Sequence, residues 1–226
     1  MRLIFYNSVG KVHGVRSIQM RHGCRHIATI IFICCTSLLL AACSTKYPNL
    51  QKLSPLPEEG VCRVAVLPFN NQSSYRDGNT LFYRVFVSEL ARLGNFALAT
   101  EGDVRDAFRQ VRVNPGYQSP TYDQMRIIGE YLNVDVLVTG SINQMGESVS
   151  KHMENETVPF LTVNLKLIEV ISGRTFWSIY HRRSGEEYRK VMHFGLISTT
   201  TQIADQVSKD IIAHWASEGF IGKCTE

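Results

Sequence analysis

Arg63-Val64-Ala65-Val66-Leu67-Pro68-Phe69 is apolar at almost every position, as a strand must be when helices cover both of its faces. Pro68 marks its end, because proline donates no ladder hydrogen bond. A different pattern follows later in the chain. Leu161, Val163, Leu165 and Leu167 alternate with Thr162, Asn164 and Lys166, the spacing of a strand with one buried face and one wetter face. A fully covered strand early and a half-covered one later point to a sheet with helices packed on it.

The segments around these strands fit that frame. Residues 70–78 are a polar loop, and a helix follows with Leu81, Phe82, Val85, Phe86 and Leu90 on one side, ending near Gly94. Residues 96–99 form a second strand. Thr100 caps a short helix that buries Val104, Ala107 and Phe108, and Asn114-Pro115-Gly116 breaks it. Thr121 and Gln124 match a capping box, opening a helix with Met125, Ile128 and Leu132 on one face. Residues 134–142 are a strand rich in β-branched residues, and 143–157 a polar loop. In the alternating strand the phase slips at Ile168, which predicts a bulge. Ile171-Ser172-Gly173 then turns the chain into a hairpin with 175–182. Ile203, Ala204, Val207, Ile211 and Trp215 line the inner side of a last helix. The order β-α-β-α-α-β-β-β-α predicts an α/β (α+β) domain over 61–226, with a single mixed sheet of about five strands and no internal repeat.

The chain before this domain has another character. Residues 27–40 form an apolar run of about 14 residues, short of the ~20 needed to span a bilayer, and end in Leu40-Ala41-Ala42-Cys43. That ending resembles a bacterial lipoprotein signal with its lipobox. The resemblance implies cleavage between Ala42 and Cys43, diacylglycerol on the Cys43 thiol and an acylated new N-terminus. A buried core helix or a plain membrane anchor is the alternative. Met20 to His26 supply a basic region directly before the run, so residues 1–19 are either a long n-region or upstream translation. Ser44, rather than Asp, follows the cysteine, which resembles the outer-membrane sorting pattern. Residues 43–60, with Pro48, Pro55 and Pro57, read as the lipidated terminus and an extended tether.

Setting the signal aside changes the charge. The whole chain carries 24 Lys and Arg against 20 Asp and Glu, but Arg2, Lys11, Arg16, Arg21 and Arg25 precede Cys43 and no acidic residue does. The remainder has 19 basic against 20 acidic residues, which offers nothing to nucleic acid. Cys24, Cys34 and Cys35 leave with the signal, so Cys62 and Cys224 remain as a pair. In an oxidising compartment such a pair is a disulfide candidate.

Val64 to Asn71, Gly94-Asn95-Phe96, Ile128 to Ile142 and Leu165 to Ser178, in that order and spacing and behind a lipobox, resemble one periplasmic domain superfamily. It is the superfamily of the curli-secretion (CsgG), penicillin-binding-protein activator (LpoB) and polysaccharide-export (PelC) lipoproteins, and the resemblance spans about 62–215. A curli-type pore adds membrane-spanning hairpins, whose strands need about 9–11 residues with an apolar outer face. Residues 143–157 and 184–193 are too charged for that, and the second stretch is also too short. The resemblance therefore implies an accessory or assembly factor for export or assembly of an envelope polymer, anchored at the outer membrane and facing the periplasm. Its alternative is an activator of a peptidoglycan synthase.

No catalytic constellation stands out. The part after Cys43 has His152, His181, His193 and His214, without Cys-x-x-Cys, His-Glu-x-x-His or Gly-x-Ser-x-Gly, so the reading is of a non-enzyme with no metal and no cofactor. Two patches are candidates for binding a protein partner or further copies of the chain. Tyr75 and Arg76 lie in the loop beyond the first strand, where α/β sheets place ligands, unless that loop is merely solvated. Tyr180, Arg182 and Arg183, with Tyr188 nearby, combine aromatic and arginine side chains as interface anchors do. The other reading of this patch is a charged strand edge that discourages unwanted pairing.

Overall fold

The computed structural model describes residues 47–226, apart from 59, 95, 116–117, 151–155, 190–193, 221–223 and 225–226. The signal segment, Ala42 and Cys43 lie outside the described residues. In chain order the elements are β1 (Asn49–Lys52), β2 (Arg63–Val66), β3 (Asn70–Asn71), α1 (Gly78–Ala91), β4 (Ala97–Leu98), α2 (Glu101–Gln110), α3 (Tyr122–Tyr131), β5 (Val136–Val149), β6 (Thr157–Glu169), β7 (Thr175–Ser184), a 3-10 turn (Gly185–Tyr188) and α4 (Thr200–Ser217). They form one mixed sheet in the order β1-β7-β6-β5-β2-β4, with β3 continuing along β5 beside β2. The sheet thus has seven strands rather than about five.

Both additional strands are short. β1 lies in the stretch expected to be tether, yet Asn49 pairs with Tyr180 and Lys52 with Trp177 along the free edge of β7. Its one apolar residue, Leu50, packs on the core, too little periodicity to announce a strand. β3 resumes pairing with β5 just past Pro68. The supposed loop from 143 is also strand: beyond a register shift between Ile142 and Gln144, β5 runs on to Val149 against Thr157. Only Met145 is buried on that arm, so its polar residues conceal the pairing. The expected slip at the end of β6 is present between Leu167 and Ile168.

Helix starts follow their sequence signals. Thr100 accepts from the Asp103 amide, and Thr121 and Gln124 form the reciprocal capping box. Gly173 turns β6 into β7 at φ +67°, a conformation that costs glycine nothing, and its amide donates to the Glu169 carbonyl.

Two apolar clusters explain the two strand patterns. On one face, α1 and α4 pack over β2, β5, β6 and β7, burying Phe82, Phe86, Leu90, Ile203, Val207, Ile211 and Trp215 against Val138, Val163 and Leu165. Aromatic rings run through this layer, with centroids 5.3 Å apart for Phe69 and Phe82, 5.7 Å for Phe86 and Trp215 and 5.4 Å for Trp215 and Phe220. Each such side chain contributes about 1.5–3 kcal/mol through burial alone. On the other face, α2 and α3 cover Ala65, Leu67 and Leu137 with Val104, Phe108 and Ile128. β2 and the start of β5 are therefore sandwiched, as their sequence requires. Across from β2's start, Cys62 and Cys224 form a disulfide with Cα atoms 5.4 Å apart, tying the end of the chain to the central sheet.

Candidate functional site

The helices on the second face stop short. Their cluster takes in no residue of β1, β7 or the β6 strand, so among the described residues this apolar layer does not extend over the far half of that face. Paired residues in neighbouring strands share a face, and the register reads off what is displayed there. β6 presents Thr162, Asn164 and Lys166. Opposite them β7 presents Arg182, Tyr180 and Ser178, and β5 presents Gln144, Ser141 and Thr139. Asn49 and Gln51 of β1 extend the rows beside Tyr180 and Ser178. Every one of these side chains is polar; Tyr180, Arg182 and Lys166 are exposed, whereas Thr162 is buried.

A hollow of about 260 Å³ opens where this surface meets α3, lined by Asn70, Ser119, Thr139, Ser141, Asn164 and Lys166. Three buried polar atoms of this region lack partners. Asn164 Oδ1, Thr162 Oγ1 and Asn143 Oδ1 are buried with no hydrogen bond, although Asn143 Nδ2 donates to Gln72 Oε1 at 3.1 Å. Asn143 is the extra residue at the β5 register shift, beside the Thr162 row, so the irregularity brings these three groups to one region.

The patch expected at the end of β7 divides by strand alternation. Tyr180 and Arg182 face outward on the polar surface. Arg183 does not: it is 7% exposed, turned with His181 toward α4 because the two sit one residue out of phase with Arg182. Its Nε donates to Asp210 Oδ2 at 3.3 Å and its Nη1 to Glu187 Oε2 at 3.1 Å, while its guanidinium lies 5.1 Å from the Tyr188 ring centroid. Asp210 gathers the group. Its Oδ2 also meets His181 Nε2 at 3.2 Å and accepts from the Tyr188 hydroxyl at 2.7 Å, and its Oδ1 accepts from Gln206 Nε2 at 3.0 Å. Burial works against the carboxylate, but hydrogen bonds from His181, Tyr188 and Gln206 and the Arg183 charge outweigh it, so Asp210 sits below its ordinary range. Burial, and then the bond to Asp210, push the Tyr188 phenol up. With both carboxylate oxygens committed, this network is a clamp between β7, the 3-10 turn and α4.

The Tyr75 and Arg76 loop is separately placed, since β5 and β6 lie between β3 and β7 in the sheet. Asn71 shapes it: its Nδ2 donates to the carbonyls of Tyr75 and Arg76 at 2.8 and 3.2 Å, and its Oδ1 accepts from the Ser73 amide and hydroxyl. Both candidate side chains are exposed. The alternation at 161–167 already revealed a wetter face. How far the apolar layer under α2 and α3 reaches over it was not legible, because that depends on contacts between elements far apart in sequence. Among the described residues no three His, Cys, Asp or Glu side chains gather as a metal site, and no helix is long and apolar enough to cross a membrane.

No family model matches this chain, and no curated protein does. Among solved structures, the chain is similar to the PelC dodecamer from Paraburkholderia phytofirmans, at 15% identity over 74% of this chain and 95% of that one, with a TM-score of 0.46. It is also similar to lipoprotein GNA1162 from Neisseria meningitidis, at 13% identity over 69% and 99%, TM-score 0.48. The LpoB C-terminal domain from Escherichia coli is similar at 18% identity over 56% and 86%, TM-score 0.42. PelC and LpoB, two of the lipoproteins whose motifs this sequence resembles, are thus both among its structural neighbours.

Proposed function

We propose that the chain is a non-enzymatic accessory lipoprotein of the bacterial envelope, held at the outer membrane through lipid on Cys43, its domain in the periplasm, and serving export or assembly of an envelope polymer. The observation that carries this reading is the polar face of β5, β6, β7 and β1, with Tyr180, Arg182 and Lys166 exposed on it. It is a broad surface suited to an extended partner, while the clustered ionisable side chains nearby are turned inward and committed to the fold. Two further features support it. A Cys62–Cys224 disulfide suits an oxidising compartment such as the periplasm. Asn49 of β1 follows Cys43 closely in sequence, within a reach of about 20 Å when fully extended, so a lipid at Cys43 would keep this edge of the sheet close to the bilayer. Docking on an envelope protein or on further copies of the chain falls first to Tyr180 and Arg182, and then to Tyr75 and Arg76.

The anchor is tested by labelling cells with radioactive palmitate and separating their membranes. Wild-type protein takes up label and fractionates with the outer membrane, and Cys43→Ala does neither. Wild-type protein without label overturns the reading.

A further inference from the structure

A tether running through all of 43–60 would let the domain range about 60 Å from an anchor at Cys43. β1 shortens it. The strand is laddered to β7 from Asn49 to Lys52, and Tyr47 already belongs to the folded unit, its ring centroid 6.0 Å from that of His214 on α4. Tyr47 stands four positions after Cys43, so the free tether measures about 14 Å at full extension. From β1 to β4 at the other edge the sheet counts five strand spacings, about 24 Å. The free tether is therefore shorter than the sheet is wide. With an anchor at Cys43, the domain cannot turn its β4 edge to the bilayer.

We propose that the β1 edge is a lipid-contacting surface, held against phospholipid headgroups with the rest of the sheet standing away from the membrane. This deepens the envelope reading and rests on its lipid at Cys43. The side chains around the edge suit that position. Tyr47 and Leu53, at the two ends of β1, are 72% and 59% exposed. The backbone holds Leu53 there, since its amide and that of Ser54 both donate to the Phe176 carbonyl. Tyrosine favours the headgroup level, where its ring meets apolar matter and its hydroxyl meets water. Between the two, Asn49 and Gln51 are exposed and uncharged. Lys52 pairs with Glu218 and lies 5.6 Å from the Trp177 ring centroid, so that carboxylate does not face anionic headgroups uncompensated. At the opposite edge, β4 exposes no large apolar side chain. A weak surface is enough, because the short tether already confines the domain within reach of the bilayer. Tyr180 and Arg182 stand one strand in from this edge, so a protein that docks on them approaches along the membrane.

The test uses the protein as cells make it, purified from membranes in detergent and reconstituted into phosphatidylethanolamine–phosphatidylglycerol vesicles that carry a trace of phospholipid with a diazirine in its headgroup. After irradiation, mass spectrometry should find adducts on peptides covering 47–54 at least tenfold above those on peptides carrying Tyr75 or Tyr131, which are exposed as well. Tyr47→Asp with Leu53→Asp should lower the 47–54 adducts at least fivefold, while the protein stays with the vesicles through its lipid. Circular dichroism confirms that the variant is folded. Adducts spread evenly, adducts concentrated at Tyr75 or on α3, or a yield unchanged in the variant overturns the proposal. The mass of the N-terminal peptide reads acylation separately. An acylated protein with its adducts elsewhere removes the edge contact and leaves the anchor standing, whereas an unacylated one removes both.

Discussion

Arg183 on β7 and Asp210 on α4 meet with Nε 3.3 Å from Oδ2, their side chains only 8% and 17% exposed. Such a pair is judged by what its loss leaves behind. Replacing Asp210 by Ala leaves the His181 ring and the Tyr188 hydroxyl without this acceptor and the buried Arg183 guanidinium with Glu187 but without its second carboxylate, and should cost about 1–3 kcal/mol. Urea unfolding at neutral pH measures it. The same carboxylate sets an acid limit. Its pKa is depressed in the fold, so the stability it supplies is present above the unfolded value of about 3.9 and is lost as pH falls through the lower folded value. In Asp210→Ala that part of the acid dependence should disappear, whereas an unaltered profile would separate the network from acid unfolding.

Two phenols set an alkaline limit. Burial, with the nearby charge of Glu101 second, pushes Tyr83 up to about 12, and Tyr188 rises further. The unfolded chain releases these protons near pH 10 while the fold retains them. The stability they supply is therefore complete below about pH 10 and is lost as pH climbs through the folded values. Ultraviolet titration should show a late tyrosinate fraction that diminishes in Tyr83→Phe and Tyr188→Phe. If all phenols ionise together near pH 10 in protein that is still folded, the two environments are wrongly described.

Reducing Cys62–Cys224 opens a loop of 162 residues in sequence. In the chain-entropy account a closure of that length is worth about 5 kcal/mol, so reductant should lower the urea midpoint markedly. Cys62→Ser with Cys224→Ser should lower it equally and abolish the effect of reductant. A midpoint indifferent to both treatments would show that this closure contributes nothing to stability.

Membership of β1 in the sheet is open to hydrogen exchange. Leu50 and Lys52 belong to a ladder with β7, and the amides of Leu53 and Ser54 both donate to the Phe176 carbonyl, at 2.8 and 3.1 Å. Amides in this segment should exchange well behind a solvated tether but ahead of β6, which is paired on both sides. Exchange as fast as a free peptide would return 49–54 to the linker.

How much was legible depended on whether a residue's neighbours in sequence also decide its neighbours in space. The capping box at Thr121 and Gln124, the bulge at Ile168 and the turn at Gly173 are local, and each stands where its pattern put it. The element order was legible for the same reason, because long periodic segments carry their own signal. β1 and the far arm of β5 were not, since their strand character comes from a partner edge rather than from apolar alternation. Arg183 shows a third case. Its inward direction follows from period-two alternation with Ile179 and His181, but charge suggested surface, and Asp210 lies 27 positions away on another element. The polar face of β6 was legible from its alternation, and the reach of the apolar layer beside it was not.

The edge position of β1 also has a mechanical meaning. A pull on the chain from the N-terminal side of Tyr47 reaches the domain first through this strand. Directed along the strand axis, it loads the β1–β7 ladder in shear, so that several hydrogen bonds share the force. Directed outward from the sheet, it opens them one at a time from Asn49. Peeling β1 away would bare the outer edge of β7 and extend the leash by the length of the released segment, so the domain carries at its edge a short, recoverable reserve of slack.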